Sequence, residues 1–243
     1  MSSFLSGFGP GVGDLRLTVK QMSLSGTVAL PTHLLHTTIS ATVQDNGELI
    51  IADLAKVLTF IKTLPQDALI TLWQPKNSAL RIISGKTELK LPTTDLVLSH
   101  KSVSKALALV DDAERNHWKS WADKPLTCYA KIQGADLFQV NGMEKVIGKG
   151  PPFEMTFDLE ERLLVFKTGH KSSANMSTAI DMEDCTMDLD NDPSVGATSH
   201  YGAWLPHVLQ SMPAGPVELY TANDFVCIFR HLEKDHLLLV MDK

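Results

Sequence analysis

The chain is short of the residues that usually announce a chemistry. Of its 243 residues only three are cysteine (Cys128, Cys185 and Cys227), odd in number, far apart and without a C-x-x-C pair. That excludes a disulfide framework and points to free thiols in a reducing compartment. Positive charge is not in excess: 22 Lys and Arg face 28 Asp and Glu, for a net charge of −6. A protein that coats nucleic acid with its whole surface carries the opposite balance, although a small basic patch on an acidic body stays compatible with this one. The N-terminus has no basic stretch leading into an apolar core, so no secretory signal is expected. No apolar run approaches the roughly 18 residues of a membrane span. The expectation is a soluble intracellular protein. Neither a G-x-S-x-G elbow nor an H-E-x-x-H pair occurs, and no catalytic constellation replaces them.

Other signals fail on inspection. Asp188-x-Asp190-x-Asp192 resembles the start of a calcium loop, but the sixth and twelfth positions are Pro193 and Ser199 where Gly and Glu are needed. A solvated acidic connection over 181–192 is the better reading. Gly7, Gly9, Gly11 and Gly13 alternate without a preceding strand and with Pro10 among them, unlike a phosphate-binding loop. His33 and His36 have no neighbouring carboxylate or thiol to complete a metal site. The reading is of a protein that is not an enzyme and needs no cofactor and no metal.

What the sequence does contain is a recurring pattern of helix, proline or glycine break, and short strands. One copy has a helix over 53–64, a break at Pro65-Gln66-Asp67 and strands over 68–73, 79–84 and 88–91. A second has a helix over 135–147, a break at Gly150-Pro151-Pro152 and strands over 153–158, 163–168 and 174–180. A third has a helix over 203–212, a break at Pro213-Ala214-Gly215-Pro216 and strands over 217–220, 225–231 and 237–240. Uneven spacing excludes a solenoid. In the first helix Leu54, Val57, Leu58 and Ile61 define one apolar face, and Asp53 suits the N-cap. Gly142 weakens the second helix by about 1 kcal/mol relative to Ala. Residues 1–13 read as a loose arm with at most one helical turn. Strands follow over 15–21, 23–30 and 37–44, then a tight turn at Asp45-Asn46-Gly47 and a strand over 48–51. A further helix is expected over 103–118, and a strand over 126–132 opens the second half. These elements give an α+β protein with mostly antiparallel sheets and helices on one face. It divides into a first domain over 1–100, a connection over 101–125 and a similar second domain over 126–243.

Two stretches carry a family resemblance. Glu48-Leu49-Ile50-Ile51-Ala52-Asp53-Leu54-Ala55-Lys56-Val57-Leu58, then Leu64-Pro65, then Leu80-Arg81-Ile82-Ile83-Ser84-Gly85-Lys86-Thr87-Glu88-Leu89-Lys90-Leu91-Pro92 resembles the bacterial DNA polymerase sliding clamp. The second half is similar to the eukaryotic, archaeal and viral clamps. The carrying segments are Cys128–Lys131 before Ala135-Asp136-Leu137-Phe138, Phe166-Lys167-Thr168-Gly169 before a strand, and the ending His236-Leu237-Leu238-Leu239-Val240. The resemblance covers about 48–92 and 126–243.

It implies a DNA-clamp fold of two similar domains, closing as a homotrimeric ring around duplex DNA without reading sequence. Such a processivity factor tethers a replicative polymerase, and a clamp loader opens the ring. The implied location is cytoplasmic, at replicating DNA in a bacterial or virus-infected cell. The alternatives are a clamp-fold adaptor that does not encircle DNA, or an unrelated α+β enzyme. Carried over, the DNA-facing residues are Lys56, Lys62, Lys101, Lys105, Lys145 and Lys149, with His207 and Gln210 beside them. The subunit interface would join Thr87-Glu88-Leu89-Lys90-Leu91 to Ala174-Asn175-Met176-Ser177-Thr178-Ala179-Ile180 of a neighbour. A partner-peptide pocket would draw on Leu126, Tyr129, Pro213 and Val240. The resemblance also implies a first inner helix that 1–13 is too short to supply. Either the first domain lacks it, or the helix over 103–118 takes its place.

Overall fold

The computed structural model describes residues 1, 4–5, 8, 15–75, 78–92, 97–148, 150–169, 174–187 and 196–241, with the side chains of 97–101 left aside. The chain forms two compact units, one of Met1–Ala29 with Leu35–Val103, the other of Leu30–Leu34 with Ser104–Lys243.

The first unit holds β1 (Leu15–Lys20), β2 (Ser23–Ala29), the greater part of β3 (His33–Ser40), β4 (Gly47–Ile51), α1 (Leu54–Lys62), β5 (Thr71–Trp73), β6 (Leu80–Ser84) and β7 (Thr87–Leu91). β1 pairs antiparallel with β2 on one side and with β4 on the other, Leu15 facing Ile51. The Ser25 and Thr38 hydroxyls, 2.8 Å apart, tie β2 to β3. β5, β6 and β7 form a separate three-stranded meander. α1 forms as its spacing predicts: Leu54, Val57 and Ile61 are buried, and the Asp53 carboxylate accepts the Lys56 N–H at 2.9 Å. The expected loose N-terminal arm is anchored instead, because Phe4, Leu5 and Phe8 are buried. The Phe8 ring lies over Gly26, where a Cβ would collide with it. Apolar mass outweighs the local glycine count here. The alternating glycines fall outside the described residues.

The second unit contains α2 (Val97–Arg115) from Ser104 onward, β8 (Ser120–Trp121), β9 (Lys124–Pro125), β10 (Cys128–Gln133), a 3-10 turn (Gly134–Leu137) and α3 (Phe138–Ile147). There follow β11 (Phe153–Asp158), β12 (Leu163–Gly169), β13 (Asn175–Asp181), β14 (Glu183–Met187), β15 (Gly196–Tyr201), α4 (Leu205–Leu209), β16 (Pro216–Thr221), β17 (Cys227–His231) and β18 (His236–Val240). One sheet runs β13-β12-β11-β15 and another contains the order β14-β10-β16-β17-β18. Val110, Ala113, Trp118 and Trp121 pack with Leu34, Val226, Ile228, Leu237 and Leu239 into one core.

Several boundaries differ from expectation, each for a local reason. α2 stops at Arg115 because His117 and Trp118 adopt left-handed φ of 56° and 59°, while the Asn116 carbonyl oxygen Oδ1 accepts the Lys119 N–H. α4 is shorter than 203–212 because its end tightens into three-residue turns, Ser211 N–H to Val208 and Met212 N–H to Leu209. The acidic link over 181–192 is a correction: its first part is strand, β14 pairing antiparallel with β10. The triple Asp188, Asp190 and Asp192 lies outside the described residues. The strand expected over 37–44 runs His33–Ser40, and the one expected over 68–73 is only Thr71–Trp73.

The ladders reveal a larger repeat than the sequence pattern suggested. β1, β2 and β3 with β4 on the outer side of β1 match β11, β12 and β13 with β15 on the outer side of β11. The first residue of β1 faces the last of β4 (Leu15 and Ile51), as Phe153 of β11 faces Tyr201 of β15. A helix and a three-strand meander then follow in both, α1 with β5–β7 and α4 with β16–β18. β10, which pairs with β16, has no counterpart among the described residues of the first unit.

Candidate functional site

A cluster of polar and aromatic side chains stands on one face of β10, β16 and β17. Register puts Tyr129, Tyr220, Ile228 and Leu239 in one row across four strands, with Lys131, Glu218, Arg230 and Leu237 in the next row on that face. Glu218 is the hub. Its Oε1 accepts the Tyr129 hydroxyl at 3.4 Å, and its Oε2 accepts the Tyr220 hydroxyl at 3.0 Å and an Arg230 guanidinium N–H at 2.9 Å. Lys131 reaches sideways to Asp184 of β14 at 2.7 Å. The Tyr220 ring stacks on Trp118 at 5.8 Å and meets Tyr129 at 5.2 Å. Burial first, and then the Glu218 charge, hold both phenols above their ordinary pKa of 10.0. The hydrogen bond to Asp184 raises the Lys131 ammonium and lowers the Asp184 carboxyl. This is a positioned, partly exposed polar platform at the margin of an apolar core. It has no nucleophile paired with a base, and no group of three metal-ligating side chains gathers among the described residues.

The four pocket residues lie in different settings. Leu126 and Tyr220 each pack against the same buried core, and Tyr129 touches Tyr220 directly. Val240 shares its ladder row with Cys227, Thr221 and Cys128, so it points to the opposite face from Tyr129 and is completely buried. Pro213 lies at the far end of β16, where the Gly134 N–H donates to Gly215 at 2.8 Å. Four residues of strand, about 14 Å, separate that end of β16 from Tyr220. Tyr220, Glu218 and Arg230 did not emerge from the sequence. The available signal was their period-two alternation with buried Val217, Leu219 and Phe229 on neighbouring strands.

The cations intended for DNA sit on different helices. Lys56 and Lys62 are exposed on α1, Lys56 at 3.0 Å from Asp53. Lys105 is exposed on α2 and Lys145 on α3. Lys149 lies outside the described residues, as does the Lys101 side chain. α3 and α4 lie side by side, with the Gln210 amide donating to Asn141 and His207 at 3.5 Å from Glu144. Phe138 and Val146 stand exposed on α3 near Lys145.

No protein-family model matches the chain, and no curated protein matches it by sequence. Solved structures do. PCNA from Thermococcus kodakaraensis superposes with a TM-score of 0.69 at 15% identity, over 100% of this chain and 95% of that one. A. fulgidus PCNA, bound to the C-terminal region of FEN-1, gives 0.67 at 10% identity over 99% and 93%. A putative DNA polymerase III beta subunit from Eubacterium rectale gives 0.70 at 11% identity, over 100% of this chain but 64% of the beta subunit. The fold is that of the sliding clamps.

Within this clamp fold, the two segments expected to form a subunit interface are both terminal strands of their sheets. Among the described residues β7 pairs with β6 alone, and β13 pairs with β12 alone. Glu88 of β7 is held by Arg81 of β6 at 3.4 Å, and Leu89 faces the buried Ile82. Along β13, Asn175, Ser177 and Ala179 are exposed while Ile180 is buried. Met176 and Ser177 also border an open cleft of about 510 Å³, together with Glu154, Lys167 and His200. No helix among the described residues is long and apolar enough to cross a membrane.

Proposed function

We propose that the protein is a DNA sliding clamp, a non-enzymatic processivity factor that closes into a homotrimeric ring on duplex DNA and tethers a replicative polymerase. The observation that carries the reading is the pair of terminal strands, β7 in one unit and β13 in the other, each with a single partner strand among the described residues. An unpaired strand edge is a template for pairing with another chain, and one such edge on each of two units lets identical copies join head to tail into a closed ring. Thr87-Glu88-Leu89-Lys90-Leu91 of one copy would pair with residues 174–180 of the next. A loader would open the ring, and the activity would reside at replicating DNA.

Encirclement needs only a few cations aimed at phosphates. Lys56, Lys62, Lys105 and Lys145, with Lys101 and Lys149, supply them on an otherwise acidic chain. The expected result is salt-dependent, sequence-independent retention on circular DNA and loss from linear DNA. Replacing all six lysines by Glu should abolish it, and unchanged polymerase stimulation by that variant would remove these residues from the model. Assembly has its own test. N–H groups of adjacent strand residues point to opposite sides, so only one of Met176→Pro and Ser177→Pro removes an N–H from the outer edge. That variant should stay folded and become monomeric by native mass, whereas a monomeric wild type at micromolar concentration would exclude the ring.

A monomeric adaptor that binds partners without DNA is the second reading. It is favoured by the exposed Phe138 and Val146 on α3, apolar where a DNA-facing helix would carry charge. For either reading, the partner peptide would dock beside Leu126, Tyr129 and Tyr220, aromatic and aliphatic anchors of the kind that dominate peptide binding. Tyr129→Ala should weaken a polymerase C-terminal peptide in calorimetry, and equal affinity would place the pocket elsewhere.

A further inference from the structure

The internal repeat identifies a strand position that is filled in one unit and, among the described residues, open in the other. In the second unit β10 lies between β16 and β14 and pairs antiparallel with both. β16 corresponds to β5. β14 follows directly after β13, as residues 41–44 follow directly after β3. Both first-unit counterparts have the character of strands without the ladder. Residues 68–74 alternate half-buried and exposed, yet among the described residues only Thr71–Trp73 pair, and only with β6. Residues 41–44 alternate in the same way, half-buried Ala41 and Val43 against exposed Thr42 and Gln44, and belong to no strand. The side chains at this edge are costly to leave in water: Leu69 is 84% exposed and Trp73 49%.

We propose that the outer edge of β5 is a strand-acceptor site for an extended segment of a partner protein, added antiparallel to residues 68–73 as β10 is added to β16. β10 also states the chemistry of the occupant. Its inward residues Cys128, Ala130 and Ile132 are small or aliphatic and lie opposite Thr221, Leu219 and Val217. The corresponding side of β5 offers half-buried Leu72, whose row neighbour Ile82 is completely buried. The other side offers Leu69 and Trp73, with the Arg81 guanidinium 5.0 Å from the indole. The occupant is therefore a proline-free segment of five or six residues. It places small aliphatic side chains toward Leu72 and larger apolar ones toward Leu69 and Trp73. Main-chain hydrogen bonds supply affinity and the alternate side chains specificity, as in other strand additions. The inference rests on the topology of one unit and stands whether or not the protein encircles DNA.

The probe is a capped synthetic peptide with the residue order of Thr127 to Gly134, serine replacing the cysteine, and a scrambled peptide as control. Added to the full chain, it should slow amide exchange at 68–73 and 41–44, and the scrambled peptide should not. Leu72→Lys should weaken binding at least about tenfold at a temperature where its Tm shows the chain to be folded. Trp73→Ala, at an exposed position where the fold is not at stake, should weaken it less. Absence of protection at 68–73 at saturating peptide, or equal binding by wild type and Leu72→Lys, overturns the proposal. Protection in the free chain that disappears on dilution also overturns it, because the occupant is then a second copy.

Discussion

β5 and β16 occupy the same place in two copies of one ladder plan, and they differ in length because they differ in company. β16 has β10 on one side and β17 on the other and runs six residues; among the described residues β5 has only β6 and runs three. The sequence around β5 is no poorer in strand-forming residues, since 68–73 reads Ala-Leu-Ile-Thr-Leu-Trp. A strand extends as far as its neighbours give it hydrogen bonds, so propensity sets where strands start and pairing sets where they stop. The second unit also seals one face of its sheet with residues 106–121, adding two tryptophans to the core.

The sharpest way to break this comparison is to remove what the second unit has in addition. Trp121 is 3% exposed and shares its core with Val226, Ile228, Leu237 and Leu239. Trp121→Ala should cost about 3–5 kcal/mol, the range for emptying a buried aromatic site. Calorimetry should show the loss. Amide exchange should place it on β17 and β18 and leave β1, β2 and β4 as protected as before. In the wild type, amides of Thr71–Trp73 should exchange faster than those of Leu219–Thr221. Equal protection would mean that a second neighbour already covers β5.

The next effect concerns the polar row of the second unit. Glu218→Gln keeps the shape but removes the charge that accepts two phenols and a guanidinium. The side chain is only 14% exposed, and charge-assisted bonds contribute more than neutral ones. A loss of about 2 kcal/mol is expected by denaturant titration. The same variant should lower the alkaline transition of Tyr220, read by ultraviolet absorbance, yet leave it above 10.0, because burial is the larger cause of its shift. In the wild type the unfolded chain gives up this proton first, so stability should fall as pH rises through 10. A transition unmoved by Glu218→Gln would detach the phenols from the carboxylate.

Legibility in the sequence followed the same division. Elements whose pattern is local were read well: α1 from Leu54, Val57 and Ile61, β11 from alternating Phe153, Met155 and Phe157, and the meander β16–β18. Elements fixed by distant partners were not. β14 is a polar Glu-Asp-Cys-Thr-Met run, exposed or half-buried throughout, and becomes a strand because β10 lies beside it. β15 was missed because its Gly-Ala-Thr-Ser-His-Tyr sequence carries little apolar signal, and β11 supplies its ladder. β3 starts at His33, four residues ahead of the expected strand, and His33 is buried against Trp204, ring centroids 6.1 Å apart. The platform around Glu218 was illegible for the same reason: it assembles from three strands whose register the sequence does not state. Among the residues expected at the pocket, the setting of Val240 likewise depends on which face its strand presents, and that follows only from the register.

The smallest predicted effect compares the two corresponding helices. α1 is capped: the Asp53 carboxylate accepts the Lys56 N–H at 2.9 Å and its other oxygen lies 3.0 Å from the Lys56 ammonium. α4 follows Trp204, which supplies no side-chain cap, and Leu205 and Leu209 are buried. Asp53→Ala should therefore lower Tm by roughly 2–3 °C, while Trp204→Ser, which adds a capping hydroxyl to α4 at the expense of the contact with His33, should bring no gain. The sign of the pH dependence follows from the cap. The backbone N–H of Lys56, and then its side chain, hold the Asp53 carboxyl below its ordinary 3.8. The contribution is thus complete above pH 3.8 and is lost as pH falls through the depressed folded value. Acid titration of Asp53→Ala should run parallel to wild type above that pH and converge with it below. If the two curves stay parallel into acid, the helix owes its start to Leu54 and Val57, and the two units begin their helices in the same way.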